Sequence, residues 1–214
     1  MLKILYSYLD KKHHPFFLNN YLLEMPLDFQ EKVLKYKNWQ DTQASIIGRL
    51  LLGILLKTFD LNLSIKHLAY NVNGKPYFEK EQVFFNISHS DDIVICVVTD
   101  INEIGIDIEK LQDININDFK NFLTKFEWDY INVSQNAISD FISLWTQKEA
   151  ILKASGHGLS IDLNSFEINN DKAEINSNIY SLKEILINHK YKCHFAIKDD
   201  ISQNTEIQLI KWFT

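Results

Sequence analysis

From Leu2 to Leu9 the chain reads LKILYSYL, an aliphatic and aromatic run with the composition of a first strand. The apolar period then lengthens to that of a helix in two stretches, roughly Leu27 to Lys37 and Asp41 to Phe59, with Asp41 as the N-cap of the second. Strand-like segments follow at about His67 to Asn71, Val83 to Ile87, Ile93 to Thr99 and Ile104 to Glu109, separated by polar turns such as NVNGKP. The pattern turns helical again at TKFEWDYI, where Thr124 and Glu127 have capping-box spacing. It stays so through AISDFISLWTQKEAILKAS, a longer amphipathic helix that ends before Gly156. Strands return at Ser165 to Ile168 and Tyr191 to Lys198. Strand, helices and strands thus occur twice, with a division near residue 100 and no repeat, low-complexity tract or long linker. The pattern predicts an α/β (α+β) fold of two packed halves, residues 1–100 and 101–214.

Composition narrows the function classes. With 214 residues and a formal net charge of -6, the chain has enough apolar content for a packed core and lacks the clustered Lys and Arg of a general nucleic-acid binder, although a local basic pocket for an anion is not excluded. The N-terminal apolar run stops at Asp10, short of a signal-peptide core. IIGRLLLGILL, the longest apolar segment, is interrupted by Arg49 and too short to cross a bilayer. The expectation is a soluble, cytoplasmic protein with no nucleic-acid and no membrane partner. Cys96 and Cys193 lie in strand-like runs and are expected as free buried thiols, and the adjacent His13 and His14 as surface residues rather than a metal pair.

The chemistry begins at IGIDIEK. On a strand Ile104, Ile106 and Ile108 share one face and leave Gly105, Asp107 and Glu109 on the other, so two carboxylates stand side by side. Such a pair is either the solvated face of an edge strand or one that a cation holds together. A third carboxylate, Glu149, lies in WTQKEAILKASGHGL, where Glu149 and Lys153 are spaced to pair across one helical turn. Three carboxylates can hold a hard cation such as Mg²⁺ while lysines neutralise the phosphate oxygens that the metal leaves uncovered. FNISHS adds Ser88 and His89 at the end of an aromatic strand, as anion donors or as local hydrogen-bonding groups.

In order, GKPYF, FNISHS, IGIDIEK, FLTKFEW and LWTQKEAILKASGHGL resemble the motif set of the surfactin-synthetase-type 4'-phosphopantetheinyl transferases, from Gly74 to Leu159, with GRLLLG extending the likeness upstream. The resemblance implies a pseudo-twofold fold of two similar halves, each a small, mostly antiparallel sheet packed with helices, and coenzyme A in the cleft between them. It implies transfer of the pantetheine arm to a serine of an acyl or peptidyl carrier protein, with release of adenosine 3',5'-bisphosphate, in fatty acid, polyketide or nonribosomal peptide biosynthesis. Asp107, Glu109 and Glu149 match the family's metal acids; Lys148 and Lys153 match its phosphate-facing lysines. Arg49, Gly74, Lys75, Pro76, Ser88 and His89 match positions that contact the coenzyme, and Lys32 and Lys35 match upstream basic residues or form a solvated helix face. Glu149, Lys153 and Glu127 are the catalytic candidates. The holo-acyl-carrier-protein synthase class builds trimers from chains half as long, so a monomer is expected here.

Three points stay open in the sequence. Glu127 fits both a role in removing the serine proton and a plain capping box with Thr124. Phe122, Phe126 and Trp128 fit both a carrier-docking surface and a buried core. His157 stands where many relatives carry another residue, and the tail after about Asn170 has no diagnostic motif. A metal-dependent phosphohydrolase and a non-catalytic carrier-binding module are the rival functions.

Overall fold

The computed structural model describes residues 1–59, 63–79, 82–200 and 205–212. Along the chain run β1 (Leu2–Tyr8), α1 (His14–Asn20), α2 (Leu27–Val33), α3 (Trp39–Lys57), β2 (Ala69–Tyr70), β3 (Pro76–Tyr77), β4 (Phe84–Ser90), β5 (Ile93–Thr99) and β6 (Ile104–Lys110). Then follow α4 (Lys125–Val133), α5 (Ala137–Ser155), β7 (Lys172–Ile175), β8 (Asn178–Glu184), β9 (Tyr191–Lys198) and β10 (Ile207–Lys211). The chain divides into two compact units: Met1–Ala69 with Pro76–Ile101 and Glu206–Thr214, and Tyr70–Lys75 with Asn102–Thr205.

The first unit has a four-stranded sheet in the order β10-β1-β5-β4, antiparallel except for the parallel β1–β10 pair. All seven residues of β5 are buried, which accounts for its unbroken apolar run IVICVVT. Helix α3 lays Ile46, Ile47, Leu51, Leu52, Leu55 and Leu56 into the core of this unit, a period of three and four that puts them on one face.

The second unit has an antiparallel sheet in the order β6-β9-β8-β7, with α5 against β6 and β9. The helix comes so close to β6 that a Cβ on Gly105 would lie 2.2 Å from the Ala150 carbonyl oxygen and 2.3 Å from the Ala154 nitrogen. Only glycine lets two backbones meet at that distance. The last turn of α5 lies over the start of β6. Lys153 meets Asp107 further along the strand, and Trp145 and Ile142 share a cavity wall with Glu109, so helix and strand run in opposite directions.

Several element bounds differ from the sequence expectation, each for a local reason. The second helix ends at Val33, not near Lys37, with Leu34 as its C-cap. The third begins at Trp39 with Asn38 as N-cap; Asp41 sits in its first turn, where a carboxylate also suits the helix dipole and so gives the same signal. Ile65–His67 is a 3₁₀ turn with Ser64 accepting from the Lys66 N–H, and the strand expected from His67 shrinks to Ala69–Tyr70. Ser165 to Ile168 is not a strand. Leu163–Ser165 is a 3₁₀ turn, and the carbonyls of Leu163 and Phe166 accept from the Lys148 ammonium. Cys96 and Cys193 are buried free thiols whose pKa burial pushes up.

Candidate active site

Strand β6 alternates as its sequence requires: Ile104, Ile106 and Ile108 are fully buried on one face, and Gly105, Asp107 and Glu109 line the face toward α5. Asp107 is only 3 % exposed, which rules out a solvated edge face, while Glu109 is half-buried. Asp107 survives burial because the Lys153 ammonium lies 2.5 Å from its Oδ1. Burial raises the Glu149 carboxyl above its ordinary value; Lys153 opposes the rise and Asp107 adds to it. Asp107, Glu149 and Lys153 thus form one electrostatic cluster.

Among the described residues no three acidic, histidine or cysteine side chains converge on one point as a ready metal centre. The expected set of Asp107, Glu109 and Glu149 is therefore not preassembled. Adjacent carboxylates repel until a cation joins them, and here Lys153 supplies that charge to Asp107. The donor chemistry, carboxylate oxygens only, still suits a hard divalent cation. Glu109 lies farther along the same strand face, at a cavity of about 250 Å³ walled by Phe119, Phe141 and Trp145.

Opposite Asp107 on β9 is His194, which is buried. Its Nδ1 lies 2.8 Å from the Thr146 hydroxyl, whose own proton goes to the carbonyl of Ile142 or Ser143. Nδ1–H is therefore the donor, and Nε2 faces the Gln147 amide at 3.4 Å. Burial lowers the imidazole to about 4, so it is neutral near pH 7 and tethers α5 to β9 without adding charge beside Asp107.

Lys148 differs most from its expected role. It is fully buried, and its ammonium donates to the carbonyls of Leu163 and Phe166 at 2.7 Å each, pairs with Glu127 Oε1 at 2.8 Å and lies 4.5 Å from the Phe166 ring centre. Three donors meet three protein oxygens, so in this arrangement it faces no phosphate. Burial pulls its pKa down and the hydrogen bond and charge of Glu127 oppose that. Glu127 in turn closes the capping box, with Oε2 accepting from the Thr124 N–H at 2.9 Å. Its carboxylate thus joins the start of α4 to the middle of α5. Sequence reasoning missed this network, yet a signal was present: Lys148 lies seven residues after Phe141 and four before Leu152, within the buried stripe of α5.

Lys75 is half-buried, and its ammonium donates to the carbonyls of Ala154 at 3.0 Å and Ile104 at 3.2 Å. Gly74, with φ +81°, completes the turn before it. In the first unit the Arg49 guanidinium stacks on Phe29, 4.9 Å from the ring centre. Ser88 is buried and His89 exposed near the end of β4, Lys32 and Lys35 are exposed on and just after α2, and Pro76 opens β3. In α4 and the residues just before it, Leu123 and Ile131 point inward, whereas Phe126 is 69 % and Val133 82 % exposed, with Phe122 and Tyr130 also exposed. The aromatic segment is therefore not all core. Phe126 and Tyr130 border a groove of about 340 Å³ that Leu144 and Ile168 complete.

Comparison with known proteins adds an independent line. The family described as the 4'-phosphopantetheinyl transferase superfamily matches residues 103–205, and the family described as 4'-phosphopantetheinyl transferase, N-terminal, matches residues 18–100. The chain is 36 % identical over 155 residues to the 4'-phosphopantetheinyl transferase gsp of Aneurinibacillus migulanus, covering 71 % of this chain and 63 % of that one. It is 33 % identical over 143 residues to the 4'-phosphopantetheinyl transferase Sfp of Bacillus subtilis, covering 65 % and 63 %. The L-aminoadipate-semialdehyde dehydrogenase-phosphopantetheinyl transferase of Mus musculus is 28 % identical over 168 residues, covering 70 % and 53 %. The matched stretch thus spans less than two thirds of each relative's length.

The buried Lys148–Glu127 pair makes a stability prediction. Lys148→Met leaves the Glu127 carboxylate and two carbonyls without their donor and should lower the unfolding free energy by about 3 to 5 kcal/mol in urea denaturation. Adding Glu127→Gln should recover part of the loss. A strictly additive cycle would mean that the two side chains are not coupled.

Proposed function

The chain belongs to the 4'-phosphopantetheinyl transferase superfamily, and from that premise we propose that it moves the 4'-phosphopantetheine group of coenzyme A onto a serine of an acyl or peptidyl carrier protein, releasing adenosine 3',5'-bisphosphate. The observation that carries the proposal is the Asp107–Lys153–Glu149 cluster, two carboxylates and an ammonium arranged on facing elements. Such a cluster suits a reaction that must place a diphosphate beside a nucleophile. Asp107, Glu109 and Glu149 would hold Mg²⁺, which when bound neutralises diphosphate oxygens as a Lewis acid.

In this proposal Lys153 turns from Asp107 toward the phosphate oxygens and stabilises the charge that grows on the leaving 5'-phosphate of adenosine 3',5'-bisphosphate. Glu149 takes the serine proton as the serine oxygen bonds to phosphorus and the bond to the leaving phosphate oxygen breaks. Burial raises its carboxyl, and a bound cation would oppose that rise and hold it ionised, available to accept the proton. Glu127 supports rather than abstracts, since one oxygen caps α4 and the other holds Lys148. Arg49, Ser88 and His89 are assigned to the nucleotide and its phosphates, together with Gly74 and Pro76. Lys32 and Lys35 add positive charge for the same anion. The exposed α4 face and its groove receive the carrier protein, and the protein works as a cytoplasmic monomer.

Incubation with coenzyme A, Mg²⁺ and an apo carrier protein, followed by intact-mass measurement, should show one phosphopantetheine added to the carrier. Asp107→Ala or Glu149→Ala should slow this at least about a hundredfold while the circular dichroism spectrum stays that of the parent. Coenzyme cleavage with no gain of carrier mass would point to a phosphohydrolase, and carrier binding without cleavage to a non-catalytic module.

The exposed position of Phe126 generates a separate expectation for the carrier. Phe126→Ala should raise the Michaelis constant for the carrier protein several-fold and leave that for coenzyme A unchanged, since the ring it removes lies outside the reacting centre. An unchanged carrier constant would remove α4 from the docking surface.

A further inference from the structure

The turn Tyr70–Lys75 lies more than seventy residues before the end of α5 in sequence, yet it belongs to the same compact unit and meets that helix end directly. Helix α5 stops where Gly156 adopts the left-handed conformation, φ +69°, with its N–H on the Leu152 carbonyl. That leaves carbonyls of the last turn without intrahelical donors. The turn supplies them. The Asn71 and Asn73 side-chain amides donate to the Gly156 carbonyl at 3.0 and 2.9 Å, and the Lys75 ammonium donates to the Ala154 carbonyl at 3.0 Å.

The turn is itself braced for this. Asn71 Oδ1 accepts from the backbone N–H groups of Asn73 and Lys75, each at 2.9 Å, which fixes the loop while the amide nitrogen stays directed at Gly156. A second interaction gives the arrangement a direction. The same ammonium donates to the Ile104 carbonyl at 3.2 Å, so it bridges the last turn of α5 and the first residue of β6. The bridged residues adjoin Lys153 and Gly105, and Gly105 is where the two backbones touch. A cation at a helix C-terminus is also favoured by the helix dipole.

We infer that Lys75 and Asn71 are positioning residues: the Tyr70–Lys75 turn clamps the C-terminal end of α5 to β6 and thereby sets Lys153 and Glu149 against Asp107. The Lys75 side chain acts through the helix and does not bind coenzyme phosphate. Burial lowers the Lys75 ammonium to about 8, with Glu103 opposing, so it remains mostly charged near pH 7. The catalytic consequence rests on the transferase proposal above, but the clamp is a property of the folded chain.

The test compares Lys75→Met, Lys75→Arg and Asn71→Asp with the parent protein. Asn71→Asp keeps the oxygen that braces the turn, removes the donor to Gly156 and sets a negative charge at the helix C-terminus, so it reports even if Lys75→Met fails to fold. Hydrogen exchange should show at least tenfold faster amide exchange at residues 152–156 in Lys75→Met and Asn71→Asp, with Lys75→Arg closer to the parent. With coenzyme A, Mg²⁺ and an apo carrier protein, kcat should fall at least tenfold in Lys75→Met, the Michaelis constant for coenzyme A should stay within about twofold, and Lys75→Arg should restore part of kcat. Parent-like exchange at 152–156 in Lys75→Met and Asn71→Asp would overturn the clamp. So would a tenfold rise in the coenzyme Michaelis constant at unchanged kcat, which would make Lys75 a ligand of the coenzyme. A parent protein without transferase activity would refute the transferase proposal and leave the exchange measurement to decide on the clamp.

Discussion

The backbone contact between α5 and β6 at Gly105 is the constraint on which the rest of the candidate site depends. A helix normally rests on a sheet through side chains, which hold the two backbones apart. At Gly105 the helix backbone itself touches the strand, and that short separation lets a lysine and a glutamate of α5 act on an aspartate of β6. Lys153 then reaches Asp107, Glu149 feels the charges of both, and Thr146 and Gln147 meet His194 on the next strand. The Lys153–Asp107 and Thr146–His194 contacts, at 2.5 and 2.8 Å, are short because the helix sits low.

Burial of charge follows from the same geometry. A low helix leaves little room for water, so each ionised group on its inner side needs a partner within the protein. Lys148 meets that demand with Glu127 and two carbonyls, and this ties α4 and the segment around Phe166 to the middle of α5. Asp107 meets it with Lys153, but that pair is only partly enclosed, since the lysine side chain keeps 29 % of its exposure. The enclosed pair suits a support and the half-open one suits a group that must exchange partners during a reaction. Adjacent residues in the sequence QKEA thus have different tasks: Lys148 points into the protein, and Glu149 feels the charges of Lys153 and Asp107.

Much of this was legible in the sequence where a short-range pattern carries it. The alternation in IGIDIEK put Asp107 and Glu109 on one strand face, the Thr124–Glu127 spacing gave the capping box, and β5 and β9 begin and end at the expected residues. The motif order from Gly74 to Leu159 led to the family that the comparisons support. What the sequence hid depends on tertiary partners. No local pattern shows that Lys148 is enclosed, that Lys75 turns to a helix end, or that the apolar residues around Phe166 lend their carbonyls to an ammonium instead of forming a strand. The exposed α4 face was ambiguous for a related reason, because aromatics at helical spacing pack inward or outward according to neighbours that the segment does not contain.

The most direct test of the central claim is the unfolding free energy of Gly105→Ala in urea. The added methyl group must push α5 off β6 or bend the strand, so the variant should lose about 2 kcal/mol or more, a large overpacking cost for one methyl group. A Gly105→Ala protein as stable as its parent would contradict the account, because the helix would then not rest on the strand backbone where the candidate site requires it.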